Sequence, residues 1–230
     1  TGYVCCTFRG SESAVDAATG KVIWKRYMIA ETAKPQRKTK RGAAVMGPSG
    51  VGVWTAPTLD PEHDTLYITT GDNYSDPPTS LSDAVVALRM STGEILWSKQ
   101  LTAKDSWNGA CYLAGNKNCP DSDGPDFDFA ASSVLVQLPN VRRALLLGQK
   151  SGMVYGIDPD RKGQTLWQSR AGKGGTTRQY ANAPRQGRDH LLVRERAPAR
   201  IAAVSAAGAL CRLARRVLAA VARLMRRVGL

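Results

Sequence analysis

The stretch AVDAATGKVIW, from Ala14 to Trp24, decides the fold because it recurs twice along the chain. ALRMSTGEILW occupies residues 87–97, and GIDPDRKGQTLW occupies residues 156–167. Each copy is a short apolar run, a polar turn that ends in glycine, and a second run that ends in tryptophan. Glycine supplies the positive φ that tight hairpin turns require, so each copy predicts a β-hairpin.

Between the copies the sequence keeps the pattern of short strands. DTLYITTGDN, SSVLVQLPN, RRALLLGQKSG and MVYGID are apolar or alternating runs bounded by turn residues, and no helical periodicity occurs before residue 176. The copies lie farther apart than the ~40–50 residues of a simple propeller blade, so each unit carries an inserted loop. The pattern predicts an all-β, partial β-propeller of four-stranded blades. An irregular β-sandwich with a chance recurrence is the alternative.

Charge divides the chain into two parts. Residues 1–175 contain 20 Lys and Arg against 17 Asp and Glu, whereas residues 176–230 contain 12 Arg, no Lys and two acidic residues. The net charge of +13 would suggest a nucleic-acid partner if it were spread evenly. Because it lies mostly in the tail, we expect a propeller body over residues 1–175 that binds no nucleic acid.

The tail, residues 176–230, lacks the repeat and is rich in Arg and Ala. We expect it to be the product of a shifted reading frame in a GC-rich gene, either disordered or helical. In residues 209–230, ALCRLARRVLAAVARLMRRVGL, arginines recur every three or four positions opposite Leu and Val. This spacing predicts a basic amphipathic helix, which would bind an anionic membrane surface incidentally.

Four of the five cysteines lie in the body. This even count suits an oxidising compartment and two disulfides, and Cys111 and Cys119 bracket a loop. Adjacent Cα atoms are about 3.8 Å apart, whereas disulfides favour roughly 4.4–6.8 Å. Cys5 and Cys6, in YVCCTFRG, therefore form either a strained disulfide or a pair of small buried apolar side chains.

The repeat pattern Ala-x-Asp-x-x-Thr-Gly-Lys-x-x-Trp occurs together with CCTFRGS, GPSGVGVWTAPTLDP, TTGDNYSDP, SWNGAC and GQKSGMVYGIDP. In this order the strings closely resemble the polyvinyl alcohol dehydrogenases of the quinoprotein alcohol dehydrogenase superfamily, over residues 1 to about 175. The resemblance implies a quinoprotein-type propeller that holds pyrroloquinoline quinone (PQQ) and Ca²⁺. It also implies a periplasmic enzyme that oxidises secondary alcohols to ketones and passes electrons to a cytochrome c.

A second function is implied by related outer-membrane assembly lipoproteins, which share the repeat. In that case the chain would be a non-catalytic propeller that serves as a protein-binding scaffold in the cell envelope. Three repeat copies do not close an eight-bladed ring, and an open propeller leaves strand edges unpaired. We therefore expect this fragment to hold PQQ weakly and to be inactive by itself.

The resemblance also implies which residues bind the quinone. Cys5 and Cys6 match vicinal cysteines whose disulfide stacks on one face of PQQ, and Trp54 matches the tryptophan beneath the ring. Lys150 matches a basic residue that reaches the quinone oxygens and stabilises negative charge there. The alternatives are a tryptophan packed between blades for Trp54 and a solvated strand-end lysine for Lys150.

The GDN turn is matched to calcium. Asp72 and Asn73 both offer the oxygen ligands that Ca²⁺ prefers, although such a turn also closes ordinary hairpins. Asn108 occupies the position at which the resemblance implies a general base, and an amide cannot abstract a proton. We therefore expect Asp105, three residues earlier, to be the catalytic base, with Asn108 as a substrate or metal contact.

Overall fold

The computed structural model describes residues 6–38, 40, 42, 44–116, 118–139 and 142–175, and the backbone of residues 190–194 and 201–205. The described part consists of β-strands, turns and short 3-10 helices at Pro61–His63, Gly109–Tyr112 and Pro159–Arg161. The all-β prediction is therefore confirmed. None of the described helices is long and apolar enough to cross a bilayer.

Strands were numbered in chain order. The first eight are β1 (Ser11–Val15), β2 (Val22–Tyr27), β3 (Lys34–Lys38), β4 (Ala44–Gly47), β5 (Ser49–Gly50), β6 (Thr58–Asp60), β7 (Thr65–Thr69) and β8 (Asn73–Ser75). The next six are β9 (Ala84–Arg89), β10 (Ile95–Gln100), β11 (Val134–Gln137), β12 (Arg143–Gly148), β13 (Met153–Asp158) and β14 (Gln164–Arg170). In the tail, β15 (His190–Arg194) and β16 (Ile201–Ser205) form an antiparallel hairpin.

Two four-stranded antiparallel sheets form complete blades, which confirms a partial β-propeller. The first blade has the strand order β10-β9-β7-β6, and the second has the order β11-β12-β13-β14. Before the first blade, β1 and β2 pair as a separate hairpin. Two further strand pairs lie outside the blades: β3 pairs with β4, and β5 pairs with β8. The pairing of β5 with β8 positions the candidate site.

Each copy of the repeat forms the last hairpin of its sheet, as the sequence predicts. These hairpins are β1–β2, β9–β10 and β13–β14. Within each hairpin the tryptophan lies opposite a small residue on the neighbouring strand, in the pairs Ala14–Trp24, Ala87–Trp97 and Gly156–Trp167. The small partner leaves room for the indole to lie against the sheet.

The tryptophan of one hairpin packs against the turn glycine of the next blade. A Cβ atom on Gly93 would lie 2.5 Å from the ring of Trp24, and one on Gly163 would lie 2.8 Å from the ring of Trp97. The Trp24 Nε1 group also donates a hydrogen bond of 2.8 Å to the carbonyl of Met90. Glycine is required twice over at these turns, for its positive φ and for the close approach of the indole.

Strand β9 is buried on both faces. Val86 and Leu88 pack in the apolar layer between the β1–β2 hairpin and the first blade, whereas Val85 and Ala87 pack in the layer between the two blades. Alternate side chains of a strand point to opposite faces, so the continuous apolar run of β9 identifies a strand covered on both sides.

The long loop after the first blade is closed by a disulfide. Cys111 and Cys119 are bonded to each other, with Cα atoms 4.8 Å apart, which confirms one of the two expected disulfides. Cys6 is also disulfide-bonded, and its partner lies outside the described residues. The amphipathic helix expected over residues 209–230 lies outside them as well.

Candidate functional site

A cavity of about 350 Å³ opens beside strands β5 and β8. Its lining consists of three aromatic side chains, two glycines, one valine and one carboxylate: Phe8, Trp54, Tyr74, Gly52, Gly71, Val53 and Asp128. This volume is at the lower end of the range for small-molecule sites, which are mostly apolar with a few polar groups. The cavity is the candidate active site.

The wall that carries Trp54 begins at a strained turn. Val51 is fully buried and has a φ of 55°, a left-handed conformation that is costly for a β-branched residue. Its N–H donates a hydrogen bond of 2.7 Å to the carbonyl of Asp72. Gly50, with a φ of 99°, passes so close to Tyr74 that a Cβ atom would lie 2.3 Å from the Tyr74 nitrogen. These contacts fix the loop bearing Trp54 against β8.

Aromatic rings form two sides of the cavity. Trp54 lines the cavity, and 56% of its surface is exposed. Phe8 and Tyr74 stack on one another with ring centroids 5.8 Å apart. Gly71 keeps the floor open, because a Cβ atom there would lie 2.4 Å from Asp128 Oδ1 and 3.4 Å from Trp54 Nε1. The residues present fit a flat ring ligand that stacks on an indole face.

Three buried carboxylates converge beside the cavity. Oxygen atoms of Asp72, Asp126 and Asp128 lie within 4.8 Å of one another. Asp72 is 2% exposed, and its Oδ2 atom has no hydrogen-bond partner among the described residues. Burial, with a further contribution from Asp128, raises the pKa of Asp72 well above its usual range. An unpartnered buried carboxylate oxygen among others fits a hard divalent cation such as Ca²⁺.

Lys150 joins this carboxylate group to the tryptophan. Its Nζ atom lies 2.8 Å from Asp126 Oδ1, forms an ion pair with Asp128 Oδ2, and stands 5.7 Å from the ring centroid of Trp54. Burial alone would lower the pKa of Lys150, but Asp128 and Asp126 outweigh it and raise that pKa above its usual range. The ammonium therefore stays charged at neutral pH.

Acidic side chains outnumber basic ones in this region. Asp83 is fully buried, and neither of its carboxylate oxygens has a partner in the described part of the chain. Burial, followed by the nearby charge of Asp105, raises the pKa of Asp83 to about 9. Five aspartates thus lie near Lys150: Asp72, Asp83, Asp105, Asp126 and Asp128. A bound cation would relieve the repulsion between those that are ionised.

Among the residues expected to bind the quinone, the structure brings Trp54 and Lys150 together at one cavity. Trp54 lines the cavity and does not pack between blades. Only 20% of the Lys150 side chain is exposed, so Lys150 is not a solvated lysine at a strand end. Cys6 lies two residues before Phe8, which lines the same cavity. Cys5 lies outside the described residues.

The two residues of the GDN turn have different surroundings. Asp72 faces the carboxylate group, whereas the side chain of Asn73 is satisfied by its own neighbours. Asn73 Oδ1 accepts a hydrogen bond of 2.7 Å from the Thr79 N–H, and Asn73 Nδ2 donates one of 3.1 Å to the carbonyl of Ser49. These bonds hold the turn in place, so Asp72 is the better placed cation ligand of the two.

Asp105 and Asn108, expected to be catalytic, are absent from the cavity lining. Asp105 accepts hydrogen bonds from the N–H groups of Asp126, at 3.1 Å, and Phe127, at 2.9 Å. Asn108 accepts one of 2.8 Å from the Ala110 N–H, where a short 3-10 helix begins. Its amide also donates one of 2.9 Å to the Tyr74 carbonyl. Both side chains therefore hold backbone that borders the cavity.

The sequence interpretation missed Asp126 and Asp128. They alternate with phenylalanines in PDFDF, directly before strand β11. Residues two apart in extended chain point to the same side, so this short pattern places two carboxylates together. The alternation was the available indication, but it sits in a long Asp- and Gly-rich loop where acidic residues are common.

Comparison with known proteins identifies the fold and the family. Residues 4–112 match the model of the glucose/ethanol/alcohol dehydrogenase β-propeller domain. The chain is 40% identical to a polyvinylalcohol dehydrogenase from Sphingopyxis sp. (strain 113P3), in a match that covers 72% of the chain and 26% of the relative. It is 29% identical to quinohemoprotein alcohol dehydrogenase ADH-IIG from Pseudomonas putida, covering 65% of the chain and 21% of that protein.

A solved structure of a quinohemoprotein alcohol dehydrogenase has the same fold. The quinohemoprotein alcohol dehydrogenase ADHIIG from Pseudomonas putida superposes with a TM-score of 0.50 at 24% identity, covering 71% of this chain and 24% of that one. The chain thus spans about a quarter of the length of the relatives it matches. Because 72% of the chain aligns at 40% identity and residues 4–112 match the domain model, the chain belongs to the PQQ β-propeller family of glucose, ethanol and alcohol dehydrogenases.

Proposed function

We propose that this chain is part of a PQQ- and Ca²⁺-dependent alcohol dehydrogenase that oxidises secondary alcohols, of the polyvinyl alcohol type, to ketones. The observation that carries the proposal is the ion pair between Asp128 and Lys150 beside the exposed ring of Trp54. A scaffold that only binds other proteins has no need for buried charges at a ring-sized cavity, since burying charge is costly. When bound, PQQ would supply the two-electron acceptor for the reaction.

In this proposal Asp128 is the general base, in place of Asp105 and Asn108. Asp128 lines the cavity, and one of its oxygens is held by the Asp72 N–H at 2.7 Å. A carboxylate placed in this way takes the proton of an alcohol hydroxyl as the carbon is oxidised. Asp105 supports it indirectly, because its carboxylate binds the two N–H groups just before Asp128.

Lys150 and Trp54 hold the quinone in this proposal. The indole face of Trp54 would support the ring, and the Lys150 ammonium would stabilise negative charge on a ring oxygen. The same ammonium keeps Asp128 oriented towards the cavity through their ion pair. Asp72, with Asp126, would supply oxygen ligands for Ca²⁺.

The remaining parts of the proposal concern the whole protein. We infer a cytochrome c as the electron acceptor and the periplasm as the compartment; the Cys111–Cys119 disulfide supports an oxidising compartment. We also infer that this chain alone binds PQQ weakly and turns over poorly. The 56% exposure of Trp54 supports this, because one face of a stacked ring would remain open to water.

Titration of the purified chain with PQQ in the presence of Ca²⁺ tests the site. We expect PQQ to quench the tryptophan fluorescence, and Trp54→Phe to lose most of that change. Trp167→Phe, which alters a tryptophan of the outer hairpin β13–β14, is the matched control and should keep it. Equal quenching in both variants would overturn the assignment of Trp54.

Ca²⁺ binding is measured separately by calorimetry. Asp72→Asn should weaken it about tenfold or more, since a buried carboxylate ligand is lost. Asp64→Asn, at a carboxylate that is 44% exposed, should leave it unchanged. Unchanged binding in Asp72→Asn would remove the cation site from the proposal.

A further inference from the structure

The contact between the β1–β2 hairpin and the first blade shows what receives an indole in this fold. Trp24 packs against the turn glycine Gly93, in the apolar layer that also contains Leu88 and Ile95. Leu88 and Ile95 pair with each other across the β9–β10 hairpin, and Leu88 is fully buried. A receiving face therefore consists of a turn glycine and the aliphatic pair that flanks the turn.

The β1–β2 hairpin carries the same receiving face, and there it is open. The first two repeat copies align position by position, so Val15 and Val22 correspond to Leu88 and Ile95. Val15 and Val22 also pair with each other, but they are 55% and 62% exposed. Among the described residues, no atom lies within 4 Å of a Cβ atom placed on Gly20. We call Val15, Gly20 and Val22 the open turn.

The second blade carries the matching indole. Trp167, at the end of the third repeat copy, is 39% exposed, whereas Trp24 and Trp97 are half-buried. Its ring lies over Gly156, where a Cβ atom would stand 2.4 Å from Trp167 Cε2, so the sheet holds the indole in one orientation. No turn glycine in the described part of the chain lies against this ring. One chain therefore presents both halves of a contact that it makes twice internally.

The two halves point away from each other. On the β1–β2 hairpin, Trp24 faces the first blade, so the neighbouring pair Val15–Val22 faces away from it. On the second blade, Ile157 faces the first blade, so the neighbouring Trp167 faces away on the opposite side. Another molecule is therefore needed to bring an exposed indole onto the open turn.

We propose that copies of this chain associate head to tail, with Trp167 of one copy docked on the open turn of the next. Each copy then uses a different surface on either side, which is a heterologous contact that builds either a ring or an open row of copies. A tryptophan that enters an apolar site is the kind of residue that dominates the energy of an interface. No residue that lines the cavity takes part, so the inference does not depend on the proposed function.

Two further features fit a second copy. Strand β16 of the tail lies beside β11 and β12, so it covers one half of the second sheet, while Trp167 on β14 stays exposed on the other half. The β1–β2 hairpin has only two strands, which match β13 and β14 in the repeat. The Trp24 Nε1 group donates to the Met90 carbonyl at 2.8 Å, and Ala17 stands at the position of Met90. The Ala17 carbonyl would accept the same bond from Trp167.

Analytical ultracentrifugation of the chain over a range of concentrations, without PQQ, tests the association. We expect the unaltered chain to form larger species as its concentration rises, and Trp167→Ser to weaken this association about tenfold or more. Trp167→Phe keeps an aromatic ring and should recover part of it. Leu59→Ser is the matched control, because Leu59 is an exposed apolar residue, at 56%, on strand β6. It should associate like the unaltered chain.

A mixing experiment tests the head-to-tail geometry. Val22→Asp places a charge in the open turn, and Trp167→Ser removes the indole, so each variant alone should stay monomeric. An equimolar mixture should form a dimer of the two variants and nothing larger, because each supplies the half that the other lacks. The inference is wrong if the unaltered chain stays monomeric at every concentration, if Trp167→Ser associates as well as Leu59→Ser, or if the mixture forms no dimer.

Discussion

The Oδ1 atom of Asp128 accepts a hydrogen bond of 2.7 Å from the backbone N–H of Asp72, although the two residues are 56 positions apart. Asp72 follows strand β7 of the first blade, and Asp128 lies on the approach to β11 of the second. The candidate cation site is therefore assembled from two blades. Its geometry depends on how firmly those blades are packed together.

Gly93→Ala should destabilise the packing of the β1–β2 hairpin on the first blade. Gly93 and Gly20 both have a φ of 70°, so alanine at either position costs about 1–2 kcal/mol of backbone strain. Only at Gly93 does a Cβ atom also meet an indole, 2.5 Å from Trp24, which adds about 1–3 kcal/mol. Urea unfolding of both variants measures the difference. Equal losses in Gly93→Ala and Gly20→Ala would contradict the docking role of Trp24.

Lys150→Met should destabilise the folded chain and make it depend on Ca²⁺. The substitution leaves the Asp126 and Asp128 carboxylates without their cation, and we expect a loss of about 2 kcal/mol, less than for a fully buried pair. Ca²⁺ should recover more stability in this variant than in the unaltered chain, because the ion replaces the lost charge. Thermal unfolding with Ca²⁺ or chelator measures both effects. Lys21→Met, at an exposed turn, serves as the control.

Without Ca²⁺, the stability of the chain should fall as pH rises from about 4 to about 9. The pKa of Asp83 is raised from 3.8 to about 9 in the folded state, so the folded chain binds this proton more tightly than the unfolded chain. Stability then decreases with pH across that window, by at most about 1.4 kcal/mol per pH unit for one group. Asp83→Asn should flatten the dependence measured by urea unfolding in chelator. The same slope in Asp83→Asn would contradict the prediction.

Asp105→Ala should loosen the segment that carries the cation ligands. The variant leaves the N–H groups of Asp126 and Phe127 without their acceptor, and we expect their amide hydrogens to exchange faster. The affinity for Ca²⁺ should also fall, because Asp126 and Asp128 are then held less firmly, even though Asp105 lines no part of the cavity. Asn108→Ala is the comparison, because it removes bonds to Tyr74 and Asn118 instead. If the Asp126 and Phe127 amide hydrogens exchange at the same rate in Asp105→Ala, the claim that Asp105 holds this segment in place would be wrong.

The fold was predictable because its determinants are local. The spacing of glycine and tryptophan in each repeat copy is a property of one hairpin, and the structure places all three hairpins as expected. The continuous apolar run of β9 likewise predicts a strand that is buried on both faces. By contrast, the packing of Trp24 on Gly93 joins two copies, so no single stretch of sequence contains it.

The site was predictable only in part. The family resemblance assigns Trp54, Lys150 and Asp72 to the site, and the structure brings these three residues close together, although their roles stay predictions. Asp126 and Asp128 reach that place through a long loop whose path depends on tertiary contacts. The resemblance points to Asn108, and to Asp105 three residues earlier, as catalytic, and that role stays a prediction. The sequence does not reveal how far the loop travels before it returns.

The docking of tryptophan on glycine gives the propeller a direction of assembly. In both described contacts the indole comes from the earlier hairpin and the glycine from the later blade, as in Trp24 with Gly93 and Trp97 with Gly163. Domains generally fold from the N-terminal side during synthesis. Each hairpin that leaves the ribosome therefore exposes its tryptophan until the glycine turn of the next blade has been synthesised. This exposed apolar surface makes the incomplete chain prone to aggregation until the indole packs on that turn.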